Sequence, residues 1–506
     1  MKKLLSLMFF AAMVTAFMSC EDEVTDLPSP AITDPAAATL EVGSEVTIDF
    51  VFVAEAGFKS SAVTATGGTA VVSTDGTAGA TSGTITVTFT AGATAGAGSV
   101  SLVVTDNESD SDESTVVITI AEEVKTITLT SNISTNTTWE TGKTYILGGR
   151  IAVVNGVTLT IQPGVVVKGQ AGTGSNATAL LIARGGKLMA EGTAALPIIF
   201  TSVADELTPE DVAAGNFASP NLEPTITGLW GGLLVLGKAN ISASNSSGQL
   251  SEVQIEGIPT SDSNGLYGGT DDADNSGVIK YISIRHGGSL IGAGNEINGL
   301  TLGGVGSGTV IENVEVVGNQ DDGIEWFGGT VNVKNVVVWN AGDDGLDTDQ
   351  AYAGTVDNFV IVTAAGHSFE LDGPEGTYGT TGSPAVTSAF HTFKNGTVVA
   401  TSASIPGENL INTDANSGVK FDGLFVTGLA NSSANTIINR VSTSSGVLTF
   451  TDVVLNVPAG KALADFFPAG TTIPAGITAN ATAAKKADVT VLAWTWAGKS
   501  GALAGL

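Results

Sequence analysis

Apolar and polar residues alternate along the first part of the chain, from about residue 35 to residue 122. Every second position is apolar in four runs, which Gly, Ser, Thr and Asp separate: Val46 to Phe52, Ile85 to Phe89, Val100 to Val104 and Val116 to Ile120. Alternation with period two predicts half-buried strands, and short strands with such turns are typical of antiparallel sandwiches. We therefore predict a β-sandwich of immunoglobulin-like type over residues 35–122, without the usual inter-sheet disulfide.

From about residue 125 the pattern becomes a repeat of about two dozen residues. Four segments align on an asparagine, at Asn313, Asn335, Asn358 and, after an insertion, Asn395. A second set of aligned segments lies between them and begins at Gly299, Gly323, Gly345 and Ser368. Two strands in each repeat predict an all-β solenoid, a parallel β-helix over residues 125–500.

Equivalent residues of a β-helix stack on one another, because neighbouring coils are hydrogen-bonded at about 4.8 Å. Asn313, Asn335 and Asn358 should then form a ladder, since an amide side chain both donates and accepts. The apolar residues after the second set of alignment points should face the core. Their polar neighbours should point outward on successive coils, namely Thr301, Glu325, Asp347 and Glu370.

Composition narrows the classes of function. The 506 residues include 65 glycines, 20 Lys and Arg, and 50 Asp and Glu, which gives a net charge of −30. Glycine at that density disfavours helical architectures. Binding to nucleic acid is excluded, because it relies on Lys and Arg side chains that neutralise phosphates, and this chain is strongly acidic.

The N-terminus carries an export signal. A cationic start, Met1 to Lys3, precedes an apolar run from Leu4 to Phe17 and then the single cysteine, Cys20. Such a segment is a secretory signal and is too short to span a membrane. An exported chain has no disulfide partner for one thiol, so we predict a signal peptide over residues 1–19 and lipidation of Cys20.

Residues 17–20 resemble the lipobox of bacterial lipoproteins. The acidic Glu21-Asp22-Glu23 that follows looks like the signal that sends lipoproteins of Bacteroidota to the outer face of the outer membrane. This resemblance implies a lipid-anchored protein that faces outward from the cell outer membrane. Residues 20–34 are predicted to be an acidic tether.

Several motifs in the solenoid look like those of a family of uncharacterised Bacteroidota surface lipoproteins. The motifs are Thr160-Ile-Gln-Pro-Gly164, Trp230-Gly-Gly-Leu233, Asp321-Asp-Gly-Ile-Glu-Trp326 and Trp494-Thr-Trp496. The resemblance implies that the β-helix is right-handed and implies no established activity. We predict that Trp494 and Trp496 form a C-terminal cap on the last coil, because an exposed coil end must be covered.

An acidic motif recurs once in each of three successive coils: Asp321-Asp322-Gly323, Asp343-Asp344-Gly345 and Gly366-His367. It is similar to the catalytic motifs of polygalacturonases. The resemblance implies that Asp322 and either Asp343 or Asp344 are acid and base, and that His367 supports them. The Arg-Ile-Lys motif of that family is missing, and Asp-Gly is also ordinary turn chemistry.

Metal binding is a second interpretation of these acids. Carboxylates stacked near 5 Å must raise their pKa values, turn into water or bind a cation, and Ca²⁺ accepts six to eight oxygens. The candidate ligands are Asp344, Asp347, Asp349, Glu370 and Asp372, and Asp272 and Asp274 form half of a calcium loop. Carboxylates that are simply solvated remain the alternative.

The third interpretation is a sugar-binding surface, which needs aromatic faces and acceptors for hydroxyl groups. Trp339 and Tyr352 are the predicted platforms, with Glu325, Asp347 and Glu370 as acceptors. Our leading hypothesis is a glycan-binding or adhesive module, stabilised by Ca²⁺, whose partner is an extracellular glycan or a surface protein. A polysaccharide hydrolase or lyase and a structural surface-layer protein are the alternatives.

Overall fold

The computed structural model describes residues 26–292, 295–375, 391–400, 409–429, 437–443, 446–480 and 486–506. The predicted signal peptide, Cys20 and the first residues of the tether lie outside these ranges. The chain divides into two compact units between Val124 and Lys125. Within the described ranges, no helix has the length and the apolar content that crossing a bilayer requires.

The first unit consists of strands that enclose one apolar core. The strands are β1 (Ala31–Thr33), β2 (Ala38–Glu41), β3 (Glu45–Val53), β4 (Phe58–Thr66), β5 (Gly68–Thr74), β6 (Ser82–Ala91), β7 (Gly96–Asp106) and β8 (Ser111–Ala121). They form two sheets, in the orders β1-β3-β6-β5 and β2-β8-β7-β4. The alternating residues of both sheets, such as Phe50, Val87 and Leu102, meet in the core.

One pair of strands departs from the predicted antiparallel arrangement. Strand β2 runs parallel to β8, with Ala38 opposite Ile118, whereas the other paired strands of this unit are antiparallel. The immunoglobulin-like type of the unit stays a prediction.

The second unit begins with the strands β9 (Thr126–Leu129), β10 (Thr137–Trp139), β11 (Thr144–Leu147), β12 (Arg150–Val153), β13 (Thr158–Ile161), β14 (Val166–Gly169), β15 (Ala179–Ile182), β16 (Lys187–Glu191), β17 (Ile198–Ser202), β18 (Leu233–Leu236), β19 (Ser244–Asn245), β20 (Gly248–Gln249), β21 (Val253–Gln254), β22 (Leu266–Tyr267), β23 (Gly277–Arg285), β24 (Leu290–Gly292) and β25 (Asn295–Glu296). It continues with β26 (Leu300–Gly303), β27 (Val310–Val317), β28 (Ile324–Phe327), β29 (Asn332–Trp339), β30 (Leu346–Asp349), β31 (Thr355–Val362), β32 (Phe369–Leu371), β33 (His391–Val399), β34 (Ile411–Thr413), β35 (Gly418–Thr427), β36 (Val447–Leu455) and β37 (Ile477–Ala479). Among the described residues of this unit, the short α-helices are α1 (Pro209–Ala213) and α2 (Trp496–Ser500).

These strands wind into two long parallel sheets. The minor sheet has the order β12-β15-β18-β26-β28-β30-β32-β34. The major sheet includes the run β17-β23-β27-β29-β31-β33-β35-β36-β37. Inward residues of both sheets, among them Ile324, Val336 and Phe369, share one core. The predicted parallel β-helix is confirmed, and its right-handedness stays a prediction.

The predicted asparagine ladder is confirmed. The Asn335 amide donates to Oδ1 of Asn313 at 3.0 Å, and the Asn358 amide donates to Oδ1 of Asn335 at 2.8 Å. All three residues have φ near +60°, a left-handed conformation that Asn adopts more readily than most residues. The aligned Asn395 has φ +53°, but its amide donates to Asp357 instead.

Glycine is required at the corners that lead into the minor-sheet strands β26, β28 and β30. A Cβ on Gly323 would lie 2.4 Å from Val338 and 2.6 Å from the carbonyl oxygen of Gly345. Gly299 and Gly345 meet similar obstructions from the next coil. Close stacking of these corners brings the preceding residues, Asp322 and Asp344, onto neighbouring coils in register.

The prediction that Trp494 and Trp496 cap the last coil is wrong. The C-terminal segment, residues 486–506, packs against the outer face of the major sheet, where Leu492, Ala497 and Leu503 join Val337 and Val360 in one apolar cluster. The Asn358 amide, at the end of the three-residue ladder, bonds to the backbone of Asp488. The segment therefore covers the flank of the middle coils.

Candidate functional site

Two polar columns run side by side along the minor sheet. The strand column consists of the outward residues that pair in register on β26, β28, β30, β32 and β34, namely Thr301, Glu325, Asp347, Glu370 and Asn412. The corner column consists of the residues three positions earlier, namely Asn298, Asp322, Asp344, His367 and Asn409. The acids occupy the middle coils, and amides flank them in both directions.

The corner column is held together by bonds between side chain and backbone. The N–H of Asp344 donates to Oδ1 of Asp322 at 2.9 Å, and the N–H of His367 donates in the same way to Oδ1 of Asp344. Each carboxylate thus satisfies a backbone donor of the following coil. This arrangement fixes the acids in place and explains why the Asp-Gly corners recur at the coil period.

The strand column contains a buried acceptor without a donor. The Asn298 amide donates to Glu325. Oδ1 of Asp347 is buried and has no hydrogen-bond partner among the described residues. A buried polar atom that lacks a partner costs about 1–3 kcal/mol, more when it is charged. A ligand that bonds to this atom would therefore remove that cost and stabilise the fold.

Burial raises the pKa values of four acids in the two columns. Asp322, Glu325, Asp344 and Asp347 are 2 to 8% exposed. Burial and, next, the charges of neighbouring acids raise the pKa of Glu325 and Asp347 well above the usual value. Burial and a hydrogen bond with Glu370 raise the pKa of Asp344 to about 11. Near neutral pH, the columns must therefore hold protons or a cation.

Ligand atoms converge in three groups, two of which share Asp322. Within each group the atoms lie within 4.8 Å of one another, and the groups are Asp322/Glu325/Asp347, Asp321/Asp322/Asp343 and Asp344/His367/Glu370. The first group includes Asp347, the residue whose Oδ1 is unpartnered. Carboxylate oxygens are the ligands that hard cations such as Ca²⁺ prefer, so the donor set and the unpartnered atom both fit such an ion.

The predicted catalytic residues are brought together, but His367 is engaged by its neighbours. Its Nδ1 bonds to the carbonyl oxygen of Asn409, and the Asn412 amide donates to its Nε2 at 3.3 Å. With both ring nitrogens engaged, the ring supports the corner column rather than presenting a free nitrogen.

Asp349 and Asp372 flank the three groups without joining any of them. Burial and the charge of Glu375 raise the pKa of Asp349 to about 7, although the N–H of Gln350 donates to its carboxylate. Burial and the charge of Asp414 raise the pKa of Asp372 to about 6. Both acids belong to the same electrostatic neighbourhood as the columns.

The predicted half calcium loop is not a site in this structure. The Asp272 carboxylate accepts from the backbone and the side chain of Asn240, at 3.0 and 2.9 Å. The Asp274 carboxylate accepts from Ser276 at 3.3 Å. Neither acid belongs to a group of three ligands within the described ranges. Their bonds stabilise their own insertion, which corrects the metal prediction at these two positions.

The predicted aromatic platforms do not join the acids. Tyr352 is a core residue that stacks on Trp326 at 5.3 Å, and its hydroxyl donates to the carbonyl oxygen of Val331 at 2.8 Å. Trp339 lies on the major sheet, where it contacts Trp496 at 5.9 Å. Tyr352 therefore offers no face to a sugar, and Trp339 belongs to a different surface.

The amides that flank the acids were missed at the sequence level. Asn298 bonds to Glu325, and Asn412 bonds to His367 and also accepts from Asn439 of the next coil. For Asn298 a signal existed, since it precedes the aligned Gly299 as Asp322 precedes Gly323. No comparable motif precedes Asn412.

Residues 131–499 match the family described as Pectate-lyase like beta helix domain. Among solved structures, the chain is similar to a family 28 exopolygalacturonase from Yersinia enterocolitica, with 12% identity over 85% of this chain and 92% of that one and a TM-score of 0.19. A similarity at that TM-score says nothing about substrate. No curated protein matches the sequence.

Proposed function

This chain belongs to the family of pectate-lyase-like β-helix domains, and on that premise we propose that it is a glycan-binding module of the cell surface whose acidic columns hold a Ca²⁺ ion. The observation that carries the proposal is the unpartnered, buried Oδ1 of Asp347, a residue that has a carboxylate oxygen within 4.8 Å of oxygens of Glu325 and Asp322.

The ion would connect the protein to a polar glycan. Asp322, Glu325 and Asp347 would hold it, and Ca²⁺ supplies further coordination positions that hydroxyl or carboxylate oxygens of a sugar can fill. A chain with a net charge of −30 repels anionic polysaccharides unless a cation lies between them. A bound cation would therefore explain why the site is acidic and how it could still bind an anionic polysaccharide.

The test is the retardation of the purified chain in gels that contain polygalacturonate or alginate, with Ca²⁺ or with EDTA. We expect retardation by at least one of these polymers in Ca²⁺, with loss in EDTA and in Asp347→Asn. Glu312→Gln is the matched control, because this half-buried acid lies on the major sheet and pairs with Lys280, and the variant should bind as the wild type does. Equal migration in Ca²⁺ and in EDTA on both polymers would reject the proposal.

The second candidate function is polysaccharide cleavage. It is favoured by Asp344, because a carboxyl whose pKa is raised to about 11 is protonated at neutral pH, as a general acid must be. Asp322 and Asp343 lie close together, with oxygens within 4.8 Å. Inverting glycosidases need carboxyl groups about 6.5–9.5 Å apart, so this pair fits a shared cation better.

Cleavage is tested by measuring reducing ends and unsaturated products from a polysaccharide panel. An enzyme should release one of them and should lose that activity in Asp344→Asn, with Glu312→Gln unaffected. Absence of any product, together with retained Ca²⁺-dependent binding, would leave the binding function alone. Absence of both would favour a structural role in a surface layer.

The location at the cell surface is part of the proposal. Its support is the sequence of residues 1–23, with Cys20 as the lipidated residue. Labelling of cells with a fatty acid should mark the wild-type chain and leave Cys20→Ala unlabelled. External protease should digest the chain on intact cells, and protection from protease would contradict the outward orientation.

A further inference from the structure

An open cleft of about 630 Å³ lies over the major sheet and involves none of the acids in the two columns. Its floor includes Trp339 of β29. One wall is the loop of residues 218–224, and the other is formed by Trp496 and Ser500 of α2 and by Gly501 and Ala502, which follow the helix. The cleft is thus assembled from three parts of the chain that are remote in sequence.

Both walls are fixed to one buried ion pair. Arg285 and Glu315 are 1% and 0% exposed, with Nη2 and Oε2 3.6 Å apart. The guanidinium donates to the carbonyl oxygen of Phe217, directly before the first wall. Oε1 of Glu315 accepts from the N–H of Ala497, in the second wall, at 2.9 Å.

The ion pair is buried at the place where it can bond to both walls of the cleft. Burying two charges costs desolvation energy, and an apolar pair of similar volume is often as stable or more stable. Here Ser283 completes the network, because its hydroxyl donates to Glu315 at 2.6 Å and accepts from Nε of Arg285 at 2.8 Å. The network connects both walls to the sheet and holds the cleft in a defined shape without a ligand.

The loop wall has further anchors. The Ser219 hydroxyl donates to Asp205 at 2.8 Å, and the Asn221 amide donates to the carbonyl oxygen of Ala204 at 2.9 Å. On the other side of the loop, the Asn340 amide donates to the carbonyl oxygen of Pro224 at 3.1 Å. A cleft whose walls are already ordered loses little conformational entropy when it binds a ligand.

The lining indicates the chemical class of the ligand. Trp339 is half-buried and contacts Trp496 edge to face, which leaves part of its indole at the cleft. Hydroxyl and amide groups of Ser219, Asn221 and Ser500 are also in the lining, and Glu223 is the one charged residue among the lining residues, all of which are described. An aromatic surface with hydroxyl and amide groups suits a sugar ring, and a cleft without a lining cation does not suit an anion.

We propose that this cleft binds a neutral oligosaccharide, with the indole of Trp339 as the platform for a sugar ring. The inference is independent of the proposed function at the acidic columns, since the cleft lies on another face and needs no divalent cation. The chain would then contact glycans at two separate places.

The test is affinity electrophoresis of the full chain in EDTA, against soluble β-glucan, xylan, galactomannan and starch. We expect at least one polymer to retard the wild type, and Trp339→Ala to weaken that binding about tenfold or more. Trp339→Phe should retain most of the binding. Asp347→Asn should bind as the wild type does, which separates this cleft from the columns.

A second variant, which keeps Trp339, tests the cleft even if Trp339→Ala misfolds. Ala218 is exposed on the loop wall, so Ala218→Trp fills the cleft without changing the floor. It should abolish retardation and leave the melting temperature unchanged. Absence of retardation by all four polymers, or binding that survives Ala218→Trp, would overturn the proposal; capture of a peptide in place of any glycan would do the same.

Discussion

The backbone N–H of Asp344 donates to Oδ1 of Asp322 on the preceding coil at 2.9 Å. Because this bond belongs to the scaffold, the carboxylate of Asp322 cannot turn into water without leaving a backbone donor unsatisfied. The acids of the corner column are consequently held close to those of the strand column, and the repulsion between them must be relieved by protons or by a cation.

The first prediction concerns pH. The folded chain holds protons on Asp349 and Asp372, with pKa values of about 7 and about 6, that the unfolded chain releases near pH 4. In EDTA, the free energy of unfolding should therefore fall as the pH rises from about 4 to 7. It should continue to fall above pH 7, because the folded chain keeps a proton on Asp344 up to its pKa of about 11. Ca²⁺ competes with protons, so it should raise the melting temperature more at pH 8 than at pH 5. Chemical denaturation and thermal melts across this range check both trends, and an equal Ca²⁺ effect at the two pH values would contradict them.

The second prediction is that Asp347→Asn stabilises the chain in EDTA at pH 7. The substitution removes a buried carboxyl whose ionisation is opposed by burial and by Glu325, and it puts in its place an amide that can donate at any pH. We expect a gain of about 1 kcal/mol and the loss of any rise in melting temperature with Ca²⁺. Glu312→Gln should change neither quantity, because Glu312 is 40% exposed. A destabilised Asp347→Asn would show that the carboxylate is needed for the fold itself.

The third prediction separates the two roles of Asn335. Asn335→Gly keeps the left-handed conformation but loses the amide bonds to both neighbours in the ladder, at a cost of about 1–3 kcal/mol. Asn335→Ala also carries the strain of φ +59° and should be less stable than the glycine variant by about 1 kcal/mol. Urea denaturation gives both values, and equal stability of the two variants would remove the argument from backbone strain.

The repeat and its register could be predicted because they depend on local requirements. A left-handed backbone selects asparagine at positions 313, 335 and 358, and a crowded corner selects glycine at Gly323. These requirements recur on successive middle coils, so they appear as a period in the sequence. The stacking of Glu325, Asp347 and Glu370 followed from that period alone.

The remaining features depend on contacts between segments that share no period. Nothing local distinguishes Tyr352, whose ring enters the core, from an exposed aromatic residue. The contacts of Trp494 and Trp496 with Tyr281 and Trp339 join parts of the chain far apart in sequence. The structure was needed to find these contacts, and with them the cleft over the major sheet.

The fourth prediction tests the crowded corner. Gly323→Ala should destabilise the chain by about 3 kcal/mol, because the new Cβ meets Val338 and the backbone of Gly345. Gly149→Ala is the control, since no atom lies within 4 Å of its Cβ and its φ is not in the left-handed region. That variant should stay within about 0.5 kcal/mol of the wild type. Thermal melts of both variants measure these differences in stability. A similar loss of stability in the two variants would show that the corner relaxes around the new Cβ.

The C-terminal segment covers Val337, Val360 and Val362, which lie well before Ala487 and Leu492 in the sequence. Coils of a solenoid form by contact with their neighbours, so the strands that carry these valines can form before the segment docks. Until it docks, the solenoid exposes an apolar flank to other chains. Aggregation of partly folded chains should therefore compete with the docking of the last residues.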